Sequence, residues 1–368
     1  MGTLHHAKMQ CRLPRGHNHA NRMISVIVNN FNYAEFLADA IDSALAQRDA
    51  DTEVMVVDDG STDGSRDVIM RYGDRVQVLL KENGGQASAF NAGFDASRGE
   101  IVIFLDADDT LLPDTAARVE DVFRRHPETA KVHYPLEVVD RDGRPTGFSI
   151  PAPNVLLPEG DLRESVLRSP ADLLVPPTSG NAFSANCLRR ILPMPAAEYR
   201  SLADVYLNNL ASLLGPVGRL EDVGGRYRLH GRNTHFRPGL DLERVHSTIR
   251  ATHATYAHLA GLASSLGLRQ DGDIRLTSVT DLAQRLVSCR LDPASHPIPS
   301  DRPRALALSG AAAALRRPDL NRKRRLLYVG WFAATAVAPR TAVRWLGEKL
   351  FRAWIRVGWG RGVTFGRK

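Results

Sequence analysis

The chain has only three cysteines, Cys11, Cys187 and Cys289. They lie far apart without CxxC spacing, which argues against a disulfide framework or a structural zinc site and fits a reducing compartment. Also missing is any run of the ~18–20 uninterrupted apolar residues that a membrane-spanning helix needs. The longest candidate, LLYVGWFAATAVAP over 326–339, is too short and ends in Pro339. The first 22 residues lack the apolar core of a secretory signal and any helical or strand period, so 1–22 reads as a disordered extension. Met23 directly precedes the first strong strand and is an alternative start of translation. Within so irregular a tail, His5, His6, Cys11, His17 and His19 carry little weight as a metal site.

What is present is a globular composition. Of 368 residues, 43% are hydrophobic, enough for one large α/β domain with additions or for two ordinary domains. The net charge of +7 is unevenly spread, because residues 315–368 are rich in Arg and Lys and poor in acids.

From 23 to 125 the pattern alternates. MISVIVNN (23–30) is a continuous β-branched run, as expected of a parallel strand buried on both faces. Phe36, Leu37, Ala40, Ile41, Ala44 and Leu45 then recur at helical spacing. EVMVVDD (53–59) and VQVLL (76–80) read as further strands, with a short helix near 65–72 between them. A helix of small residues over 86–100 leads into the fourth strand, IVIFL (101–105). Strand and helix alternating through short connections predict an α/β, doubly wound, mainly parallel sheet. In such sheets ligands bind beyond the carboxyl ends of the strands. The polar clusters NNFN, DDGSTD, KENGG and DADD all fall there.

The DADD cluster places Asp106, Asp108 and Asp109 within four positions, and their mutual repulsion calls for a counter-charge. A dinucleotide fold would need a glycine-rich turn after the first strand; the turn here, VNNFNYAEF, has no glycine. A pyrophosphate could meet these acids only through a cation. Carboxylates at i and i+2 beyond a strand end suit a hard ion, so Mg²⁺ or Mn²⁺ is expected rather than zinc. The plain alternative is that the acids cap the next helix or are solvated.

At this point the residues resemble a family. VIVNNFNYAEFLADAIDSALAQ, VMVVDDGSTDGS and NGGQASAFNAGFDASRGEIVIFLDADDTLLPD are similar to the nucleotide-diphospho-sugar-binding half of family 2 glycosyltransferases, which have the GT-A fold. PPTSGNAFSANCLRRILPMP, SLADVYLNNLASLLGPV and GGRYRLHGRNTH resemble the acceptor side of bacterial members. The resemblance covers 23–240, divided into a nucleotide-sugar half (23–125) and an acceptor half (126–240). It leaves 241–368 as a helical, basic C-terminal extension.

The resemblance implies roles. Asn29 and Phe31 line the base pocket, and Asp59 accepts the N3–H of uracil or thymine, which favours UDP- or dTDP-linked donors. Asp58 and Asp59 equally suit loop-turn chemistry. Asp106 contacts ribose and metal, Asp108 ligates the metal directly, and Asp109 supports them or starts a helix. Asp204 deprotonates the acceptor hydroxyl, with Ala203 standing where the family often has Glu; alternatively Asp204 only complements the helix dipole. Gly85 and Gln86 open a helix whose N–H groups either hold the diphosphate or only permit close packing. Arg228 and His230 neutralise the leaving diphosphate, unless the histidine is structural. The TSGNAF stretch (178–183) lines the acceptor side or is an ordinary loop.

Taken together, the sequence implies a metal-dependent, inverting transferase that moves a sugar to a hydroxyl of a glycan or lipid-linked acceptor in cell-surface polysaccharide synthesis. A nucleotidyltransferase and a non-catalytic nucleotide-sugar-binding protein are the alternatives. In the last third, a proline-rich break (291–303) precedes helices expected near 303–316, 319–336 and 340–357. Trp331, Phe332, Trp345, Leu346, Leu350, Phe351, Trp354 and Ile355 mixed with basic residues have the composition of an amphipathic surface for an anionic membrane. The same helices would also suit packing on their own domain or on a second subunit. No nucleic-acid motif accompanies the charge. The expected location is cytoplasmic, peripheral at the inner face of the membrane.

Overall fold

The computed structural model describes residues 22–233, 240–268, 277–317 and 320–359, with side chains as far as Phe351. The histidine-rich tail, the apolar Ile274 and Leu276, whose spacing in the helical stretch 241–290 suits buried positions, and the side chains of Trp354 and Ile355 lie outside the described residues.

The first hundred residues alternate as expected: β1 (Ile24–Asn30), α1 (Ala34–Leu45), β2 (Thr52–Asp58), α2 (Ser65–Met70), β3 (Gln77–Leu80), α3 (Gln86–Ala96) and β4 (Ile101–Asp106). α3 stops four residues earlier than its composition suggests. Ser97 is already extended, and Gly99 packs so close to β1 that a Cβ there would lie 2.5 Å from the Ser25 nitrogen. The chain continues through β5 (Thr110–Leu111), α4 (Thr115–Arg125), β6 (Lys131–His133), β7 (Leu136–Val139), β8 (Pro145–Ile150), α5 (Arg163–Arg168), β9 (Asn181–Ser184), α6 (Ala185–Ile191), α7 (Ala203–Leu214), β10 (Val217–Arg219) and β11 (Gly225–Arg228).

Seven strands form one sheet in the order β10-β6-β9-β4-β1-β2-β3. β4, β1, β2 and β3 run parallel to one another, and β9 runs antiparallel between β4 and β6. Successive side chains of a strand point to opposite faces, and both faces here are buried. Ile24, Val26 and Val28 join one core with Val54, Val56, Ile101 and Ile103. Ile27 joins the other with Met55, Val57, Val102 and Phe104. This explains the unbroken apolar runs. A second, four-stranded sheet, β5-β11-β7-β8, packs beyond the first; its strands are too short to give a periodic signal.

The last third is helical: α8 (Leu242–Ser265), α9 (Val279–Leu291), α10 (Pro303–Arg316), α11 (Arg322–Val337) and α12 (Arg340–Trp359). α9 is tied to the α/β half by Asp172, whose carboxylate accepts from the Val279 and Thr280 N–H groups at 2.9 and 3.0 Å. The same carboxylate pairs with Arg317 at 2.5 Å. Phe332 is buried against Gly310, where a Cβ would lie 2.2 Å from the ring, and Trp331 donates to the Leu346 carbonyl at 3.1 Å. The inner faces of these helices therefore pack on their own chain, and two of the aromatics expected at a membrane surface are used for that packing.

Candidate active site

Strand register builds the site. Asn29 of β1 pairs in register with Asp106 of β4, and Asn30 with Asp58 of β2, so the polar strand ends converge on one edge. A cleft of about 640 Å³ opens there, lined by Asn29, Phe31, Asp59, Gly85, Gln86, Asp106, Asp108 and Asp204 among others. Eight of the ten residues singled out by the sequence thus meet in one place. Arg228 and His230 do not line it.

The three acids divide by environment. Asp109 is 1% exposed and accepts from the Ser179 hydroxyl at 2.7 Å and the Arg228 N–H at 3.0 Å. It joins the acid loop to β11 and to the 178–180 turn. Burial, then Asp108 and Asp106, push its pKa well above the usual carboxylate range. Asp106 accepts on one oxygen from Asn29 at 3.1 Å and Gln86 at 3.2 Å. Burial, followed by the charges of Asp108 and Asp204, pushes it up to about 7. Asp108 faces His230, with Oδ2 and Nε2 2.8 Å apart.

The His230 tautomer follows from its other nitrogen. The Arg232 N–H points at Nδ1 at 3.2 Å, so Nδ1 accepts and the proton sits on Nε2, where it donates to Asp108. The ring stacks on Phe36 at 4.8 Å. His230 thus orients Asp108 from behind instead of reaching a diphosphate. Arg228 is likewise turned away. Its guanidinium binds Asp39 at 2.7 Å and the carbonyls of Asp108 and Arg141 at 3.0 Å, over the face of Phe36. Because neighbouring strand residues alternate, Tyr227 faces the cleft and Arg228 cannot. The cations that do line it are Arg200 and Arg232, neither of which carried a sequence signal.

The N-terminus of α3 is also spoken for. The Gly84 and Gly85 N–H groups donate to Asp59 at 3.0 and 2.7 Å, while those of Gln86 and Ala87 donate to the carbonyls of Arg200 and Tyr199. Packing therefore accounts for this turn. Gly85 has φ +87°, and a Cβ would lie 2.6 Å from the Arg200 Cα, which only glycine tolerates. Asp59 also takes Lys81 at 2.6 Å and the Asn83 amide at 3.1 Å; with four donors, its carboxylate is held rigidly at the cleft wall.

Asp204 sits in the first turn of α7 and lines the cleft. Leu202, just before the helix, has φ +69°, a left-handed conformation that costs a non-glycine residue about 1–2 kcal/mol. The Gln86 side chain bridges the two sides, donating to Asp106 and accepting from the Ala203 N–H at 3.1 Å.

Among the described residues no three His, Cys, Asp or Glu side chains form a ready metal set. The donor chemistry still fits a hard cation. Asp106 Oδ2 and Asp108 Oδ1 receive no hydrogen bond among the described residues, and both residues line the cleft. A divalent ion sharing them with a substrate oxygen would supply the missing counter-charge.

Comparison with known proteins agrees with this geometry. Residues 25–154 match the family model described as glycosyl transferase family 2. An uncharacterised glycosyltransferase of Nostoc is 37% identical over 217 residues, which cover 58% of this chain and 66% of that protein. The hyaluronan synthase of Pasteurella multocida is 37% identical over 136 residues, 36% of this chain but 14% of its own. The chain thus spans less than two thirds of these relatives. Among solved structures, S. aureus TarS residues 1–349 in complex with UDP-GlcNAc is similar, with TM-score 0.51, 16% identity, and 90% and 92% of the two chains covered. The likeness is one of fold, a GT-A core with helices following it. Residues 25–154 thus belong to glycosyltransferase family 2.

Proposed function

We propose that the chain is a metal-dependent, inverting glycosyltransferase that moves a sugar from a nucleotide-diphospho-sugar, UDP- or dTDP-linked, to a hydroxyl of a glycan or lipid-linked acceptor. The observation that carries this reading is that Asp106, Asp108 and Asp204 line a single cleft, with Gln86 linking Asp106 to the turn that opens α7. Asn29, Phe31 and Asp59 take the base, and Asp106 lies against the ribose. Asp108, held by His230, and Asp106 would hold Mg²⁺ or Mn²⁺. Such an ion, when bound, neutralises the diphosphate and makes it a better leaving group.

Asp204 removes the acceptor proton as the hydroxyl oxygen attacks the anomeric carbon from the face opposite the diphosphate. The bond to the diphosphate oxygen breaks and the anomeric configuration inverts. A positioned base contributes roughly 10²–10⁴-fold. Arg200 and Arg232, which line the cleft, are placed to meet the charge that develops on the departing diphosphate. The match to a hyaluronan synthase supports a role in making cell-surface polysaccharide.

The test is product analysis with a donor panel and acceptor extracts. Asp204→Asn should bind donor as the wild type does and lose turnover by at least about a hundredfold. Unchanged turnover would refute the base assignment, and release of pyrophosphate instead of nucleoside diphosphate would refute glycosyl transfer.

A further inference from the structure

The outer layer of the molecule presents an apolar surface that the active site does not use. On α11, Phe332 and Thr335 are buried, and the opposite face is open. From Leu326 to Val337 the exposed positions are Leu326, Leu327, Gly330, Ala333, Ala334 and Val337, so over three helical turns every exposed position is apolar. Leu326, Leu327 and Val337 are 58%, 72% and 79% exposed. Single exposed apolar residues are ordinary; a continuous stripe of them marks an interaction surface.

Charge identifies the partner. Between Arg302 and Gly347 the sequence has ten Arg and Lys and one acid, Asp319. Arg322, Lys323 and Arg324 are exposed at the start of α11, and Arg340 and Arg344 are exposed just past its end. The apolar stripe therefore has cations at both ends. A second copy of the chain would bring the same positive surface against itself. A nucleic acid would engage the cations and leave the leucines in water. No helix among the described residues is long and apolar enough to cross a membrane. An anionic bilayer satisfies both features, since a helix lying in its plane buries its apolar face at the acyl boundary and sets its cations on the headgroups.

We propose that the outer face of α11 docks on an anionic lipid surface, with Leu326, Leu327 and Val337 entering the bilayer boundary and the flanking Arg and Lys on the headgroups. The sequence composition pointed to Trp331, Phe332 and the apolar residues from Trp345 to Ile355; the stripe on α11 is built by different residues.

The experiment is flotation of the full chain with vesicles of phosphatidylcholine alone or mixed with phosphatidylglycerol. The chain should float only with the mixed vesicles, and less as salt rises. Leu326→Ser/Leu327→Ser alters exposed positions only, so it should keep the wild-type melting temperature and donor-induced thermal shift while losing flotation. Arg322→Gln/Lys323→Gln/Arg324→Gln should weaken flotation at least about tenfold. Three results would overturn the proposal: no flotation of the wild type, flotation of both variants at wild-type level, or loss of self-association in the leucine variant with lipid binding intact. Binding to single-stranded RNA without flotation would assign the cations to nucleic acid and equally overturn it. Because the donor-induced shift is read in the same samples, failure here is distinguishable from failure of the glycosyltransferase reading.

Discussion

Asp108→Ala and Asp109→Ala should damage the protein in different ways, although the residues are adjacent. Asp109 is buried and satisfies two buried donors, the Ser179 hydroxyl and the Arg228 N–H. Each donor left unpaired costs about 1–3 kcal/mol, so Asp109→Ala should cost roughly 2–6 kcal/mol, less whatever is regained by relieving its repulsion with Asp106 and Asp108. In a protein of this size that lowers the melting temperature by several degrees. Asp108 has an oxygen toward the cleft and one strong contact, to His230. Removing it leaves one buried donor, the His230 Nε2–H, without its acceptor at about 1–3 kcal/mol, offset by the like-charge repulsion relieved, so the unliganded protein should lose less stability than with Asp109→Ala. The donor separates the two. In wild type, UDP at a hundred times its Kd with Mn²⁺ adds about 2.7 kcal/mol of stability. Asp109→Ala should keep most of that increment and Asp108→Ala none of it. Differential scanning fluorimetry with and without UDP and Mn²⁺ reads both quantities. An equal loss of the donor-dependent shift in the two variants would refute the division of roles.

A matching contrast separates the two arginines. Arg228→Ala should lower the melting temperature, because it strips partners from Asp39 and two carbonyls, whereas Arg232→Ala should leave it unchanged and weaken donor binding in calorimetry. Glu53 provides a pH signature away from the cleft. Burial opposes its charge, yet hydrogen bonds from Ser25 at 2.5 Å and the Arg98 N–H at 2.6 Å prevail, so its carboxyl lies below the usual range. A depressed carboxylate stabilises the fold above its unfolded pKa of about 4.3 and loses that contribution as pH falls through the folded value. Glu53→Gln should therefore lower stability at pH 7 and flatten the acid limb of the stability curve. A limb as steep as that of the wild type would show that Glu53 contributes nothing to it.

The donor side was legible in the sequence because each of β1, β2 and β4 spends its whole length in the core. Their apolar runs end at the sheet edge, so the polar residues that follow them, Asn29 in β1, Asp58 and Asp59 after the β2 run and Asp106 in β4, had to stand together. The acceptor side gave less. β5, β7 and β11 are two to four residues long, too short for a pattern of alternation, and without the strand there was no way to see that Tyr227 and Arg228 point in opposite directions. At the α3 N-terminus the sequence left two readings open, a diphosphate site and close packing. Its N–H groups look unpaired in the local sequence, but their acceptors are carbonyls of Tyr199 and Arg200, more than a hundred residues away.

That long-range pairing connects the two halves of the proposed chemistry. Gly85, Gln86 and Ala87 sit directly on residues 199–200, and no side chain fits between them because Gly85 touches the Arg200 backbone. The Gln86 amide then reaches both ways, its Nε2 to Asp106 and its Oε1 to the Ala203 N–H that opens α7. One rigid side-chain amide thus spans from the acid assigned to ribose and metal to the helix turn that carries Asp204. Such precision matters, because a misplacement of about 1 Å can cost a hundredfold in rate. In the proposed mechanism Gln86 is the residue that fixes the distance between Asp106 and the helix turn that carries Asp204. The strained backbone at Leu202 lies in the same connection, where the chain must turn sharply to present Ala203 to Gln86 and Asp204 to the cleft.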